Sequence, residues 1–244
     1  MSETLSERLA GVRARMASAA RRAGRSPGEI TLVGVTKGQP AARIAEAVAA
    51  GLDHVGENYV QEARAKLPEL RARLEAGGLA LPCLHFIGRL QRNKAHEVAR
   101  EFAVVESVDR VELGAELEQR AAQLGRELAV LLQVNAEAEA AKGGAAPAVL
   151  RELLAQSLAW KHLRVAGLMA IPALQPTPEA SRAGFARLRE LALALRGEPG
   201  GSTLRELSMG MSADFEIAIE EGATSVRIGT AIFGPRRREG GDPA

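Results

Sequence analysis

The chain has 244 residues and a formal charge of +2, and 46% of its residues are hydrophobic and 3% aromatic. This length suits one large α/β domain or two small ones, and the composition indicates an aliphatic core. The near-neutral charge and the lack of a basic stripe interleaved with aromatic residues argue against a nucleic-acid partner, and no apolar run reaches the roughly 18 residues of a membrane span. The single cysteine excludes an internal disulfide and CxxC-type metal sites, and without a signal-peptide pattern at the start we expect a cytoplasmic protein.

Hydrophobic periodicity predicts short strands that alternate with helices along the chain, at a spacing of roughly 25 to 30 residues. The predicted helices cover residues 3–23, 41–50, 57–75, 91–101, 110–124, 147–157, 178–195 and 212–221. The predicted strands cover residues 30–36, 54–56, 83–88, 103–108, 128–134, 165–169, 204–208 and 224–228. Such alternation is typical of a parallel sheet with crossover helices.

Eight repeats in a chain of this length favour the α/β class and a closed (β/α)8 TIM barrel. Residues 1–24 hold an extra N-terminal helix, and we expect a single domain over residues 1–244 with a mobile tail at 235–244. A doubly wound open sheet is the alternative. Its G-x-G-x-x-G fingerprint is absent after the first strand, which favours the barrel.

Lys37 ends an apolar, β-branched run that begins at Ile30 and leads into a turn with Gly38. A lysine in that position can be partly desolvated, which lowers its pKa and frees the amine to attack a carbonyl group. The alternative is a strand-end lysine whose amine simply reaches water. The other lysines lie on polar or helical stretches, where we expect solvated amines; they are Lys66, Lys94, Lys142 and Lys161.

Reactive groups in such barrels gather at the C-terminal ends of the strands, and two glycine-containing turns there can hold an anion. One turn is 208–212, which opens a helix, and the other is Gly229-Thr230. Since the eighth strand neighbours the first in a closed barrel, both turns would lie on the same rim as Lys37. Together with Arg227 they predict a site for a phosphorylated aldehyde.

Six motifs carry a family resemblance over nearly the whole chain. They are LVGVTKGQP (32–40), GENYVQEA (56–63), LHFIGRLQRNK (84–94), GLMAIP (167–172), LSMGMSADFEIAIEEG (207–222) and VRIGTAIFG (226–234). In this order they closely resemble the pyridoxal phosphate homeostasis protein family. The members of that family are single-domain relatives of the barrel of bacterial alanine racemase, so the resemblance implies that fold as well.

The resemblance also implies a cofactor and its contacts. It implies an aldimine between pyridoxal 5'-phosphate and Lys37. It implies Arg227 near the pyridine nitrogen, where a permanent cation keeps that nitrogen unprotonated and weakens the ring as an electron sink. The remaining implied contacts are Ser208, Met209, Gly229 and Thr230 for the phosphate, and Asn58 and His85 for the ring.

Three of these residues also have a purely structural interpretation. His85 lies on an apolar strand and can be a satisfied core histidine. Asn58 can cap the helix that follows it. Arg227 can simply pair with Glu57 or Glu206.

The residues and the resemblance leave two main candidate functions. A third candidate, an interaction scaffold, leaves Lys37 and both turns unexplained. The first is a protein that holds pyridoxal phosphate, takes part in vitamin B6 and amino-acid homeostasis and passes the cofactor to apo-enzymes, without a robust catalytic activity. The second is an amino-acid racemase, which needs a second acid or base opposite the lysine.

The related alanine racemases take that group, a tyrosine, from a separate β-domain, for which we expect no room in this chain. Its lone Tyr59 follows Asn58 at a helix start, which disfavours racemisation. We expect a monomer. We assign no metal, because the spacing of His54, His96 and His162 is not that of metal ligands.

Overall fold

The computed structural model describes residues 3–135, 143–172 and 175–235, and within these ranges eight parallel strands close into a barrel in the order β1 to β8. The strands are β1 Thr31–Val35, β2 His54–Glu57, β3 Cys83–Phe86, β4 Val104–Val108, β5 Leu128–Gln133, β6 Leu163–Met169, β7 Glu206–Ser208 and β8 Ser225–Ile228. The helices are α1 Leu5–Arg22, α2 Ala41–Ala49, α3 Val60–Ala76, α4 Ala95–Glu101, α5 Val111–Gln123, α6 Pro147–Ser157, α7 Arg182–Leu195, α8 Phe215–Glu220 and α9 Thr230–Phe233. The predicted (β/α)8 barrel with an extra N-terminal helix is thereby confirmed.

Pairing between β1 and β8 closes the barrel and excludes the open sheet. Thr31 lies opposite Ser225, and Val33 lies opposite Arg227. This register carries the two chain segments onward to the same rim, so that the residues after β1 emerge beside those after β8. The single-domain assignment stays a prediction, and the predicted mobile tail lies outside the described residues apart from Pro235.

The two faces of each strand meet different surroundings. A Cβ atom on Gly34 would lie 2.4 Å from a methyl group of Leu52, so this face of β1 packs tightly against the segment that joins α2 to β2. The opposite face carries Val33, Val35 and, two residues beyond the strand, Lys37, because side chains alternate along a strand. Lys37 therefore shares its parity with the residues that face the barrel interior.

The main apolar core lies between the strands and the helices and is aliphatic, as the composition predicts. Inside the barrel, the apolar cluster is small and consists of Leu131, Ala166 and Met169. Much of the remaining interior is polar, with Glu106, Ser208 and Arg227 all buried. Buried polar groups of this kind must satisfy one another, which sets up the network described below.

Helix α1 packs against α8 and α9 on the outside of the barrel. Thr4 caps its start through a reciprocal bond with Glu7, and its buried stripe includes Leu5, Leu9 and Met16. None of the helices in the described ranges is long and apolar enough to cross a membrane.

Several helices begin later than the periodicity predicts. Glu57 belongs to β2, and α3 starts at Val60. Residues 178–181 form a 3-10 turn before α7. Helix α8 starts only at Phe215, because the carboxylate of Asp214 accepts a hydrogen bond from the backbone N–H of Met211 and folds the preceding loop into a turn. The strands thus present longer loops at the C-terminal rim than the sequence pattern indicates.

Candidate functional site

Lys37 lies at the C-terminal rim, where β1 and β8 meet. It is partly buried, and it lines one cleft together with Gly229 and Thr230. The β1–β8 register explains this, since it carries the segment after Ile228 past Val35. Three of the predicted site residues are therefore brought together as the barrel closes.

The two predicted anion turns also meet. The hydroxyl of Ser212 in the β7–α8 loop accepts a hydrogen bond from the backbone N–H of Ala231 in α9, at 3.3 Å. Gly210 turns that loop with φ +92°, and a Cβ atom there would lie 2.5 Å from Ala218. Only glycine fits both the conformation and the space. The backbone N–H of Met209 is already engaged, because it donates to Ser225 at 3.1 Å.

Ser208 and Arg227 lie inside the barrel and are bonded to each other. The Arg227 guanidinium donates to the Ser208 hydroxyl at 2.5 Å and to the backbone oxygen of Ala170 at 2.9 Å. The Ser208 hydroxyl in turn donates to Glu106 at 2.6 Å, and the guanidinium lies 3.7 Å from the same carboxylate. The predicted alternative of a pair with Glu57 or Glu206 is therefore wrong, since the partner of Arg227 is Glu106.

His85 continues this network towards the other end of the barrel. Its Nδ1 lies 2.7 Å from Glu106 Oε1, and its Nε2 lies 2.9 Å from Nδ1 of His54. Both ring nitrogens thus have protein partners, and the residue is buried. A contact between His85 and a cofactor ring stays a prediction, while the bonds described here join it to Glu106 and His54.

The network sets the charges of its members. Burial opposes ionisation of Glu106, but His85, Arg227 and Ser208 outweigh it and lower the pKa of that carboxyl. Burial would also lower the pKa of His85, yet Cys83 and Glu106 raise it to about 9. Burial lowers the pKa of Arg227 against the attraction of Glu106. The interior therefore holds a carboxylate between two cations.

Lys66 supports the segment that carries Lys37, a role that the sequence pattern did not predict. Its amine lies 2.7 Å from Glu57 Oε1 and donates to the backbone oxygen of Thr36 at 2.8 Å, and its side chain is 11% exposed. The prediction of a solvated amine is thus wrong for Lys66, while Lys142 lies outside the described residues. The only sequence signal was the spacing of Glu62 and Lys66, which form an i,i+4 pair at 2.8 Å.

Asn58 follows β2 on the same rim and does not cap α3, whose N-cap is Tyr59, so the capping alternative is wrong. The side-chain oxygen of Asn58 is buried and has no hydrogen-bond partner. The residue lines a cavity of about 720 Å3 that also includes Arg89 and Arg110. A buried amide oxygen without a hydrogen-bond partner costs free energy, so the side-chain oxygen of Asn58 can accept a hydrogen bond from a bound molecule.

Comparison with known proteins decides the family. The family described as the N-terminal domain of alanine racemase matches residues 8–237. The pyridoxal phosphate homeostasis protein of Pseudomonas aeruginosa is 49% identical over 237 residues, which cover 96% of each chain. The chain belongs to the pyridoxal phosphate homeostasis protein family.

Two solved structures place this family member among its structural neighbours. PipY from Synechococcus elongatus, solved with pyridoxal phosphate bound, is 38% identical with a TM-score of 0.82, and the match covers 95% of this chain and all of PipY. An alanine racemase from Clostridium difficile is 14% identical with a TM-score of 0.66, and the match covers 91% of this chain and 59% of the racemase. The second likeness shows a shared fold alone.

Proposed function

We propose that this protein binds pyridoxal 5'-phosphate covalently through Lys37 and takes part in intracellular vitamin B6 and amino-acid homeostasis without a robust catalytic activity. The observation that carries the proposal is the cleft that Lys37 shares with Gly229 and Thr230 where the barrel closes. Similarity over nearly the whole length to proteins named for pyridoxal phosphate homeostasis supports it. When held by a lysine amine, this cofactor supplies an electron sink.

The residues around the cleft fit such a cofactor. Lys37 offers the amine, and Gly229 and Thr230 offer the start of a short helix for the phosphate. Asn58, which lines the other cavity on the same rim, offers a buried oxygen that lacks a donor. Arg227 offers a permanent cation, which leaves a nearby ring nitrogen unprotonated. An unprotonated ring withdraws electrons less strongly, and this agrees with weak catalysis.

We infer that the other predicted contact residues position parts of the site and do not touch the cofactor themselves. The hydroxyl of Ser208 is engaged with Glu106 and Arg227, so it holds the guanidinium in place. Met209 is buried, and its N–H donates to β8, so it supports the turn that leads towards the cleft. His85 acts one step further away, through Glu106.

The geometry disfavours the racemase alternative. Among the described residues that line the cleft, Lys37 is the only one with a side chain that can act as a base. Tyr59 is 62% exposed and lines the other cavity, beside Arg89. Two-base racemisation needs an acid or base on each face of the substrate, and the described cleft supplies one.

Borohydride reduction followed by peptide mapping tests the proposal. We expect the pyridoxyl group on the peptide that contains Lys37, and the absorbance band of the bound cofactor to disappear in Lys37→Ala. Lys94→Ala is the matched control, since Lys94 lies on the same end of the barrel and should keep the band. A pyridoxyl group on another lysine, or a band that survives in Lys37→Ala, would overturn the assignment.

A racemase assay with alanine and other amino acids then separates the two functions, and we expect no measurable turnover. We further propose that the protein is a cytoplasmic monomer that delivers the cofactor to apo-enzymes. Sedimentation velocity tests the monomer. Activation of an apo-enzyme that depends on a pyridoxal phosphate cofactor, by the loaded protein in the presence of a scavenger of free aldehyde, tests delivery.

A further inference from the structure

Three side chains with metal-binding atoms converge at the N-terminal mouth of the barrel, opposite the Lys37 rim. His54 is the first residue of β2, Cys83 is the first residue of β3, and His85 follows on the same strand. Their ligand atoms all lie within 4.8 Å of one another, and within the described ranges they form a group of three that can hold a metal ion. His54 and Cys83 are partly exposed, so the group is accessible from this end.

The barrel itself explains the convergence. His54 and Cys83 lie opposite each other in the parallel register of β2 and β3. Cys83 and His85 are two residues apart on one strand and so share a face. A Cβ atom on Gly56 would contact Val33 of the neighbouring strand. Gly56 follows His54 by two residues on the same face of β2, and its lack of a side chain leaves space in the barrel interior next to His54.

A second layer already orients one of the ligands. The Nδ1 atom of His85 lies 2.7 Å from Glu106 Oε1, while its Nε2 atom faces His54. Histidines that bind metals commonly use one ring nitrogen for the metal and donate the other N–H to a carboxylate, which fixes the orientation of the ring. Glu106 is itself fixed by the hydroxyl of Ser208.

A cavity of about 260 Å3 gives access to the two histidines of the group. It is lined by His54, His85 and Glu106, and also by residues at the starts of other strands, such as Thr31 and Val104. This cavity leaves room for a fourth ligand from solvent. The cluster therefore has three ligands, a carboxylate that orients one of them and an entry path, and it shares only His85 and Glu106 with the residues that position the proposed cofactor site.

Although the spacing of histidines in the sequence assigns no metal, the convergence of strands β2 and β3 does, and we propose that His54, Cys83 and His85 bind one Zn2+ ion at the N-terminal mouth of the barrel. One thiolate and two imidazoles are a donor set that suits Zn2+ and not the oxygen-seeking Mg2+ or Ca2+. With Zn–N bonds of about 2.0–2.1 Å, a tetrahedral ion separates two nitrogens by about 3.3 Å. The nitrogens of His54 and His85 are 2.9 Å apart and share a hydrogen bond, so the ion would replace that bond as the two rings turn towards it. Cys83 binds as the thiolate, and the protons that its thiol and the Nε2 atom of His85 carry in the metal-free protein leave to solvent when the ion binds.

Titration calorimetry with Zn2+ on the full-length, chelator-treated protein tests the proposal. We expect saturable binding of one ion per chain in the wild type. Cys83→Ser and His54→Gln should each abolish this binding, and Glu106→Gln should weaken it by about 10- to 100-fold. His96→Gln is the matched control, since His96 is exposed on α4 and should bind Zn2+ like the wild type.

X-ray absorption of the wild-type protein with one equivalent of Zn2+ gives a result that does not depend on whether the variants fold. We expect one sulfur ligand at about 2.3 Å with nitrogen ligands at about 2.0–2.1 Å. No saturable binding, equal binding by wild type and Cys83→Ser, or a coordination shell without sulfur would overturn the proposal. These results do not depend on Lys37, so a failure of the zinc proposal can be distinguished from a failure of the proposed cofactor function.

Discussion

Replacing Lys66 with methionine removes a charge from a buried cluster behind the Lys37 loop. The amine of Lys66 bonds to Glu57 Oε1 at 2.7 Å, to Glu62 Oε1 at 2.8 Å and to the backbone oxygen of Thr36 at 2.8 Å. Glu57 is 1% exposed, and its second carboxylate oxygen has no hydrogen-bond partner. Lys66→Met therefore leaves a buried carboxylate without this cation.

Removal of one partner from a buried ion pair costs about 3–5 kcal/mol, because the remaining charge is desolvated and uncompensated. Protonation limits that cost. Burial already raises the pKa of Glu57 above its ordinary value near 4.5, against the attraction of Lys66, and loss of Lys66 raises it further. A carboxyl with a raised folded-state pKa keeps a proton that the unfolded chain has lost, so its contribution to stability falls as pH rises through that pKa. The deficit of Lys66→Met should thus grow from pH 5 to pH 8.

Urea unfolding at several pH values measures the effect. We expect the unfolding midpoint at pH 8 to fall by about 1 to 1.7 M if the slope m lies near 3 kcal/mol/M. Lys94→Met is the control, because its amine lies 3.7 Å from Glu97 in a partly exposed pair worth about 0–1 kcal/mol. The double variant Glu57→Gln/Lys66→Met should recover more than half of the loss. A loss below 1 kcal/mol at pH 8, or no recovery in the double variant, would refute the reasoning.

Four further substitutions probe the site and its scaffold. Arg227→Met should shift the absorbance of bound pyridoxal phosphate and lower the free energy of unfolding by less than the roughly 3–5 kcal/mol of a fully uncompensated buried charge, because His85 still pairs with Glu106; an unchanged spectrum would remove Arg227 from the cofactor. Gly88→Ala should lower that free energy by about 1–3 kcal/mol, since its Cβ atom would lie 1.9 Å from the backbone oxygen of Asn58. Gly11→Ala, with nothing within 4 Å, should instead raise it by about 0.5–1 kcal/mol, and thermal unfolding compares the two. Glu118→Gln should cost about 1–3 kcal/mol in urea unfolding, because this carboxylate accepts three backbone N–H bonds at the start of β6, and equal stability to the wild type would contradict that role.

The barrel and part of its rim followed from local pattern alone. Strand and helix periods, read in order, predicted the barrel, and parallel strands must bring their C-terminal ends to one rim. Lys37, Gly229 and Thr230 could therefore be placed together from their positions after the first and last strands. The family motifs added residue roles that no period carries, and those roles stay predictions.

The sequence by itself thus determined the fold and the rim that bears Lys37. Only the tertiary structure decided which polar residues meet across strands. The pairing of Arg227 with Glu106, the approach of His54 to Cys83, and the reach of Lys66 to Glu57 each join residues on different elements. Such contacts depend on register, on the closure of the barrel and on the angle at which a helix packs, and none of these leaves a local signal in the chain.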